Sequence, residues 1–280
     1  MNSREIKELV RHYHLGISPR RMGQNFLVDP RILERIAAAV GAGPEDRVLE
    51  IGAGLGALTE QLLGSGAAVF AVEKDAGFVR ALTDRLKDAQ RLTIVPADIL
   101  EVDPAVYAEG KPKSLLVAGN IPYSLTSGIL EYLLRHRRWI RRAVLTVQKE
   151  VALRIVAGPG GKAYSSISVL AQAAFRPSVA FTIPPNCFYP QPKVTSAVLQ
   201  LDALDRAPFP PDEEERVLRM VRNLFTHRRK TLLNALSYSF ADVEKSRLLA
   251  ALQQARIDPV RRTETLTLEE FLALSRALVL

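Results

Sequence analysis

Residues Asn120-Ile121-Pro122-Tyr123 bring together the groups needed to hold a planar amine. The Asn side-chain oxygen and the backbone carbonyl of the next residue can each accept one N–H. Proline fixes the turn, and tyrosine offers a flat face for a ring to stack on. The exocyclic amine of a nucleobase is a poor nucleophile, because its lone pair is delocalised into the ring. Two acceptors draw its N–H bonds out of plane and stabilise the positive charge that develops on nitrogen. The chemistry indicated is methyl transfer to a base amine, with Asn120, Ile121, Pro122 and Tyr123 as its centre.

These residues follow an apolar run at 114–118 that reads as a buried strand, so the tetrad sits at the strand's carboxyl end. Open α/β sheets bind their ligands there. Upstream, Asp29 and Pro30 mark a helix start and the first helical position, with Ile32, Leu33, Ile36 and Val40 facing inward. Strand and helix patterns then alternate: strands at 47–51, 68–72, 92–95, 114–118 and 143–148, with helices at 57–63, 75–86 and 127–134. That alternation implies a mostly parallel sheet covered on both faces. A further sheet region, 178–183 and 197–201, is split by a loop holding Pro184, Pro185, Pro190 and Pro192. Residues 204–212 carry three prolines and read as a linker. The segment 213–280 has helical periodicity.

The first strand runs into Glu50-Ile51-Gly52-Ala53-Gly54-Leu55-Gly56, and a helix follows. Glycines there let the backbone approach a ligand closely. Nicotinamide-binding folds use a similar turn, with the spacing Gly-x-Gly-x-x-Gly. Downstream residues favour S-adenosylmethionine instead. Glu73 ends the second strand, where a carboxylate can accept both ribose hydroxyls. Asp98 follows the third, placed to accept from the adenine amine. The fourth strand leads to a base-amine site, not a hydride-transfer site.

The chain has 280 residues and a formal charge of +8, with a pI near 9.7. Its length allows one large core and a smaller second unit, and its charge favours a polyanionic partner. Basic residues cluster in an N-terminal arm at 1–28, which includes Arg4, Lys7, Arg11, Arg20 and Arg21. They cluster again over residues 135–142, at His227-Arg228-Arg229-Lys230, and at Arg261-Arg262. Together these form an electrostatic footprint for a polyanion whose binding weakens with salt. The single cysteine, Cys187, excludes an intramolecular disulfide and suits the cytoplasm. No stretch is long and apolar enough to indicate a membrane span. The four histidines show no metal spacing, so no metal is expected.

Nearly end to end, the chain resembles the bacterial KsgA/RsmA family of rRNA adenine N6,N6-dimethyltransferases. The resemblance rests on Gly23-Gln24-Asn25-Phe26-Leu27, Glu50-Ile51-Gly52-x-Gly54, Gly119-Asn120-Ile121-Pro122-Tyr123 and Gln148-Lys149-Glu150-Val151-Ala152-x-Arg154. It continues through Pro190-x-Pro192-Lys193-Val194-x-Ser196-Ala197-Val198 and Phe225-x-x-Arg228-Arg229-Lys230-Thr231-Leu232. The family often has Leu where Ile121 stands, and related enzymes acting on 23S rRNA share Asn-Ile-Pro-Tyr. Ser165-Ser166 replaces a commoner Gly-Arg pair.

The resemblance implies a Rossmann-like class I S-adenosylmethionine-dependent methyltransferase domain, residues 1–205, and a small all-α domain, 206–280, that assists RNA binding. It implies dimethylation of two adjacent adenosines near the 3′ end of 16S rRNA in a pre-30S particle; the alternative of a different class is a ribosome-assembly factor that uses its RNA grip as a checkpoint and its catalysis secondarily. It also implies a cofactor pocket formed by Asn25, Leu27, Gly52, Gly54, Glu73, Asp98 and Asn120. Tyr123 then stacks on the target base, and Phe188 closes the base's other face. The expected state is a monomer. The competing enzyme reading is a methyltransferase acting on large-subunit rRNA or DNA adenine.

Overall fold

The computed structural model describes residues 1–15 and 25–278, and nine strands organise those described residues. Arg20, Arg21, Gly23 and Gln24 lie outside the described residues. The strands are β1 (Phe26–Leu27), β2 (Arg47–Ile51), β3 (Ala68–Glu73), β4 (Leu92–Pro96), β5 (Leu115–Asn120), β6 (Ile140–Gln148), β7 (Phe175–Ile183), β8 (Phe188–Tyr189) and β9 (Ser196–Ala203). Seven form one sheet in the order β4-β3-β2-β5-β6-β9-β7. Strands β4, β3, β2, β5 and β6 run parallel, and β9 is antiparallel to β6. This is the expected Rossmann-like sheet. From β2 the chain winds outward to β3 and β4, then crosses back to β5 on the other side of β2. The β2/β5 boundary is therefore the switch point, where a crevice opens at the carboxyl ends.

Local chemistry explains the helices that line this crevice. Asp29 accepts from the Arg31 N–H, Pro30 opens the helix Pro30–Val40, and Gly41 closes it in the left-handed conformation. Its inward residues Ile32, Leu33, Ile36 and Val40 are all buried, in a cluster with Val48, Leu116, Ala118, Val144 and Val198. Each such side chain contributes about 1.5–3 kcal/mol by burial.

Three elements differ from the sequence reading. The N-terminal segment holds a helix, Ser3–His12, capped by Asn2 in a capping box with Glu5. Ile6 is buried with Leu15, Leu55 and Phe78, and the Tyr13 hydroxyl donates to Asp84 at 2.8 Å. Strand β6 starts at Ile140 and not at 143, so Arg141 and Arg142 lie on a strand. A helix, Ser166–Ala174, precedes β7.

The chain divides into two compact units, one of Met1–Ala152 with Pro177–Ala203, the other of Leu153–Arg176 with Leu204–Leu280. A division at 205/206 thus leaves out 153–176, which the structure assigns to the second unit. The reason is apolar packing: Tyr164, Val169 and Ala173 share a buried cluster with Phe209, Met220, Leu236 and Phe271. The Tyr164 hydroxyl donates to the Leu266 carbonyl at 3.2 Å. Four further helices complete that unit: Pro211–Thr226, Leu232–Ser239, Lys245–Gln254 and Leu268–Ala277.

Candidate active site

The carboxyl ends of β2, β3, β4 and β5 surround a cavity of about 730 Å³, a volume that suits a small-molecule cofactor. Asn25, Leu27, Gly52, Gly54, Glu73, Asp98, Asn120, Ile121, Pro122 and Tyr123 all line it. Residues up to 98 sequence positions apart thus meet in one crevice, because the parallel strands deliver their ends to the same edge.

The Gly-rich turn forms one wall. Gly52 has φ +69°, and a Cβ built there meets nothing within 4 Å, so a side chain would occupy the cavity itself. Gly56 has φ +81°, and its Cβ would lie 2.5 Å from Leu82 Cδ1. One glycine leaves room for a ligand, and the other allows the turn to pack on the next helix.

Two carboxylates are held beneath this turn. Glu73 Oε2 accepts from the Gly54 N–H at 2.9 Å, and its Oε1 accepts from the Asp75 N–H at 2.9 Å. Both oxygens are fixed, and each retains a lone pair. Desolvation raises the Glu73 pKa, and those backbone donors oppose the rise. Glu50, at 2 % exposure, also lines the cavity. Its Oε2 accepts from the Thr59 hydroxyl at 2.6 Å. Burial pushes its pKa up to about 7, with the Thr59 hydrogen bond opposing and the charge on Glu73 adding to the rise. Glu50 belongs to the quoted motif, but the sequence reading gave its side chain no role. The available signal was an acid within the otherwise apolar run 48–51. Asp98 sits near the surface, where Lys74 donates to Oδ2 at 2.7 Å and the Leu100 N–H to Oδ1 at 3.0 Å. The Lys74 hydrogen bond is the largest cause holding its carboxyl below the usual range.

Asn120 is the last residue of β5 and not a loop residue; its register partner on β6 is Thr146. Its Nδ2 donates to the Asn25 carbonyl at 2.8 Å. That bond assigns the amide orientation and leaves Oδ1 as the free acceptor of the side chain. Tyr123 follows in a short 3-10 turn begun by Pro122, whose carbonyl accepts from the Leu125 N–H at 2.9 Å. The Tyr123 hydroxyl lies 2.6 Å from the Oγ of Ser196, a fully buried residue. The ring is thereby tethered to β9. Ser196 stood in a quoted motif, but only the fold reveals its contact.

Phe188 is placed differently from the expectation. It is 4 % exposed and packs in the apolar cluster with Leu27, Leu33 and Cys187, outside the cavity lining. Strand β8 pairs antiparallel with β1, and Phe188 lies directly opposite Leu27. Paired residues share a face. Leu27 reaches the cavity, and Phe188 backs it.

The basic clusters are only partly available to a polyanion. Arg141 Nη2 pairs with Asp46 at 2.8 Å and Arg142 Nε with Asp202 at 2.5 Å. Both lie near the start of β6, whose carboxyl end reaches the site, so they are about 13–17 Å of strand away from Asn120's partner Thr146. No helix of the described residues is long and apolar enough to cross a membrane.

The family model described as ribosomal RNA adenine dimethylase matches residues 18–278. The chain is 43% identical over 272 residues to ribosomal RNA small subunit methyltransferase A of Moorella thermoacetica, covering 94% of this chain and 93% of that protein. Its counterpart in Acinetobacter baylyi is 41% identical, covering 93% of this chain and 92% of that protein. Among solved structures, a dimethyladenosine transferase from Plasmodium falciparum superposes with TM-score 0.74 at 25% identity, covering 89% of this chain and 95% of that chain. The 23S rRNA methyltransferase ErmE superposes with TM-score 0.70 at 27% identity, covering 91% of this chain and 99% of that one.

Proposed function

The chain belongs to the ribosomal RNA adenine dimethylase family, and from that premise we propose that it dimethylates N6 of two adjacent adenosines near the 3′ end of 16S rRNA, within a pre-30S particle, using S-adenosylmethionine. The small-subunit target is favoured over large-subunit rRNA by relatives at 41–43% identity named for the small subunit. The match to the 23S enzyme is 27%.

The residues present fit this cofactor. The open space at Gly52 admits a ligand against the backbone, and Glu50 and Glu73 give the cavity the negative character a cationic donor requires. Glu73 would take the ribose hydroxyls through its remaining lone pairs, and Asp98 the adenine amine. Asn25 and Leu27 would complete the wall. Bound there, S-adenosylmethionine supplies an electrophilic methyl on its sulfonium.

The rest is positioning and electrostatics by the chain. Asn120 Oδ1 and the Ile121 carbonyl accept the two N–H bonds of the adenine amine and stabilise the charge that grows on N6. Tyr123, tethered by Ser196, stacks on the base after it leaves its RNA stack. The methylated amine is acidic enough to lose its proton to water, so no dedicated base is needed. The helical unit contributes RNA binding.

The observation that carries the reading is the Asn120 amide, turned by Asn25 so that its oxygen is the free acceptor. Labelled methyl transfer onto unmodified small subunits, followed by nucleoside digestion, tests the product; it should be N6,N6-dimethyladenosine. In single-turnover assays, Asn120→Ala removes a hydrogen bond to a developing charge worth about 1.5–3 kcal/mol, so the rate should fall about 10- to 150-fold. Cofactor affinity should change less. An unchanged rate would remove Asn120 from the mechanism.

A further inference from the structure

Tyr238 is 60% exposed, and methyl transfer makes no use of it. It lies on the helix Leu232–Ser239, whose buried face is Leu232, Ala235 and Leu236. Position 238 falls two residues beyond that face, on the outer side of the helix. Among the described residues it is the one aromatic among the large hydrophobic side chains left this open.

The ring is nevertheless held. The His227 imidazole lies 5.0 Å from it at an interplanar angle of 30°, and the Lys230 ammonium is 5.8 Å from its centroid. His227 caps the C-terminus of the helix Pro211–Thr226, and Lys230 sits in the turn that follows. One turn of chain thus braces a single exposed ring. The adjoining cations are not equivalent. Arg228 donates to the Lys162 carbonyl at 2.6 Å and faces Glu264 at 3.6 Å, so it is tied into its own unit. Arg229 and Lys230 are exposed.

A braced, exposed aromatic ring beside two exposed cations matches the chemistry of a single-stranded nucleotide: a base to stack and phosphates on either side. We propose that Tyr238 is a stacking platform for an unpaired nucleobase of the RNA substrate, with Arg229 and Lys230 holding the flanking phosphates. The assignment rests on the reading that this chain acts on RNA, and it adds a contact separate from the methylated adenosine. Stacking contributes a salt-independent increment to affinity. Each phosphate contact contributes to the salt slope.

Salt titrations of full-length chain binding to unmodified small subunits separate these contributions. Tyr238→Ala should weaken binding about five- to a hundred-fold at every salt concentration, with the slope unchanged. Tyr238→Trp should restore it. Arg229→Ala and Lys230→Ala should each lower the slope by about one. A second variant carries Trp139→Phe and Tyr238→Trp, and so has a single indole at the platform. A short unstructured oligoribonucleotide should quench its fluorescence. Wild-type affinity in Tyr238→Ala would overturn the platform. So would loss of subunit affinity without quenching by the oligoribonucleotide, which would assign the patch to a ribosomal protein. A wild-type chain that does not methylate small subunits would overturn the proposed function instead, and the quenching experiment would still decide the platform.

Discussion

Replacing Glu50 by Gln should uncouple methyl-donor affinity from pH. Glu50 is 2 % exposed, hydrogen-bonded by Thr59 at 2.6 Å, and raised by burial to a pKa of about 7. At about pH 6 roughly one molecule in ten therefore carries the ionised carboxylate, and at about pH 7.5 roughly three in four. A cationic donor favours the ionised form. If it binds that form alone, affinity rises by up to about eightfold across this interval. The stability of the ligand-free chain runs the other way. The folded pKa lies above the unfolded one, so the native state holds the extra proton between about pH 4.5 and 7. Stability from this group is full below that window and is lost as pH rises through it. Glu50→Gln keeps the size and an acceptor for Thr59 but cannot ionise, so both trends should flatten. Calorimetric titration of S-adenosylmethionine at the two pH values measures the first, and melting curves of the ligand-free chain measure the second. Glu73, also raised by burial, remains in the variant and accounts for any residual slope. A Glu50→Gln chain that keeps the whole wild-type pH dependence of affinity would refute the argument.

Three other outcomes follow from contacts in the structure. Gly56→Ala introduces a Cβ 2.5 Å from Leu82 at φ +81°; it should destabilise the chain by about 1–3 kcal/mol in denaturant titrations, and cofactor affinity should fall with it. Tyr123→Phe loses only the hydroxyl contact to Ser196 and keeps the ring, so kcat should fall by less than about tenfold. Tyr123→Ala loses the stacking as well and should fall further in the same assay. Arg141→Ala breaks an ion pair with Asp46 that is half open to solvent; stability should change by less than about 1 kcal/mol, and the salt slope of subunit binding should stay at the wild-type value.

Much of the site could be read along the chain because its parts are short and local. The Asp29 cap, the proline after it and the inward spacing from Ile32 to Val40 specify their helix without outside help. The Glu50–Gly56 turn, Glu73, Asp98 and the Asn120–Tyr123 tetrad each follow a strand that the apolar runs mark out. Where local signals were weak, the reading failed. The helix Ser166–Ala174 is buried along most of its length, so it shows no polar face and no 3.6-residue alternation. The helix Ser3–His12 lay hidden in a segment read only for its charge. Arg141 and Arg142 read as free cations, because nothing in their neighbourhood announces Asp46 and Asp202.

The sequence by itself determined most of the elements, the turn chemistry and the reactive side chains, because each depends on residues within a few positions of one another. The tertiary structure alone decided the strand order that gathers those ends into one crevice. It also turned the Asn120 amide through Asn25, tied Tyr123 to Ser196, set Phe188 behind Leu27 and gave residues 153–176 to the second unit. Those outcomes depend on contacts such as Tyr123–Ser196, 73 positions apart, Asn25–Asn120, 95 apart, and Tyr164–Leu266, 102 apart, whose energies come from burial and hydrogen bonding that no local pattern encodes.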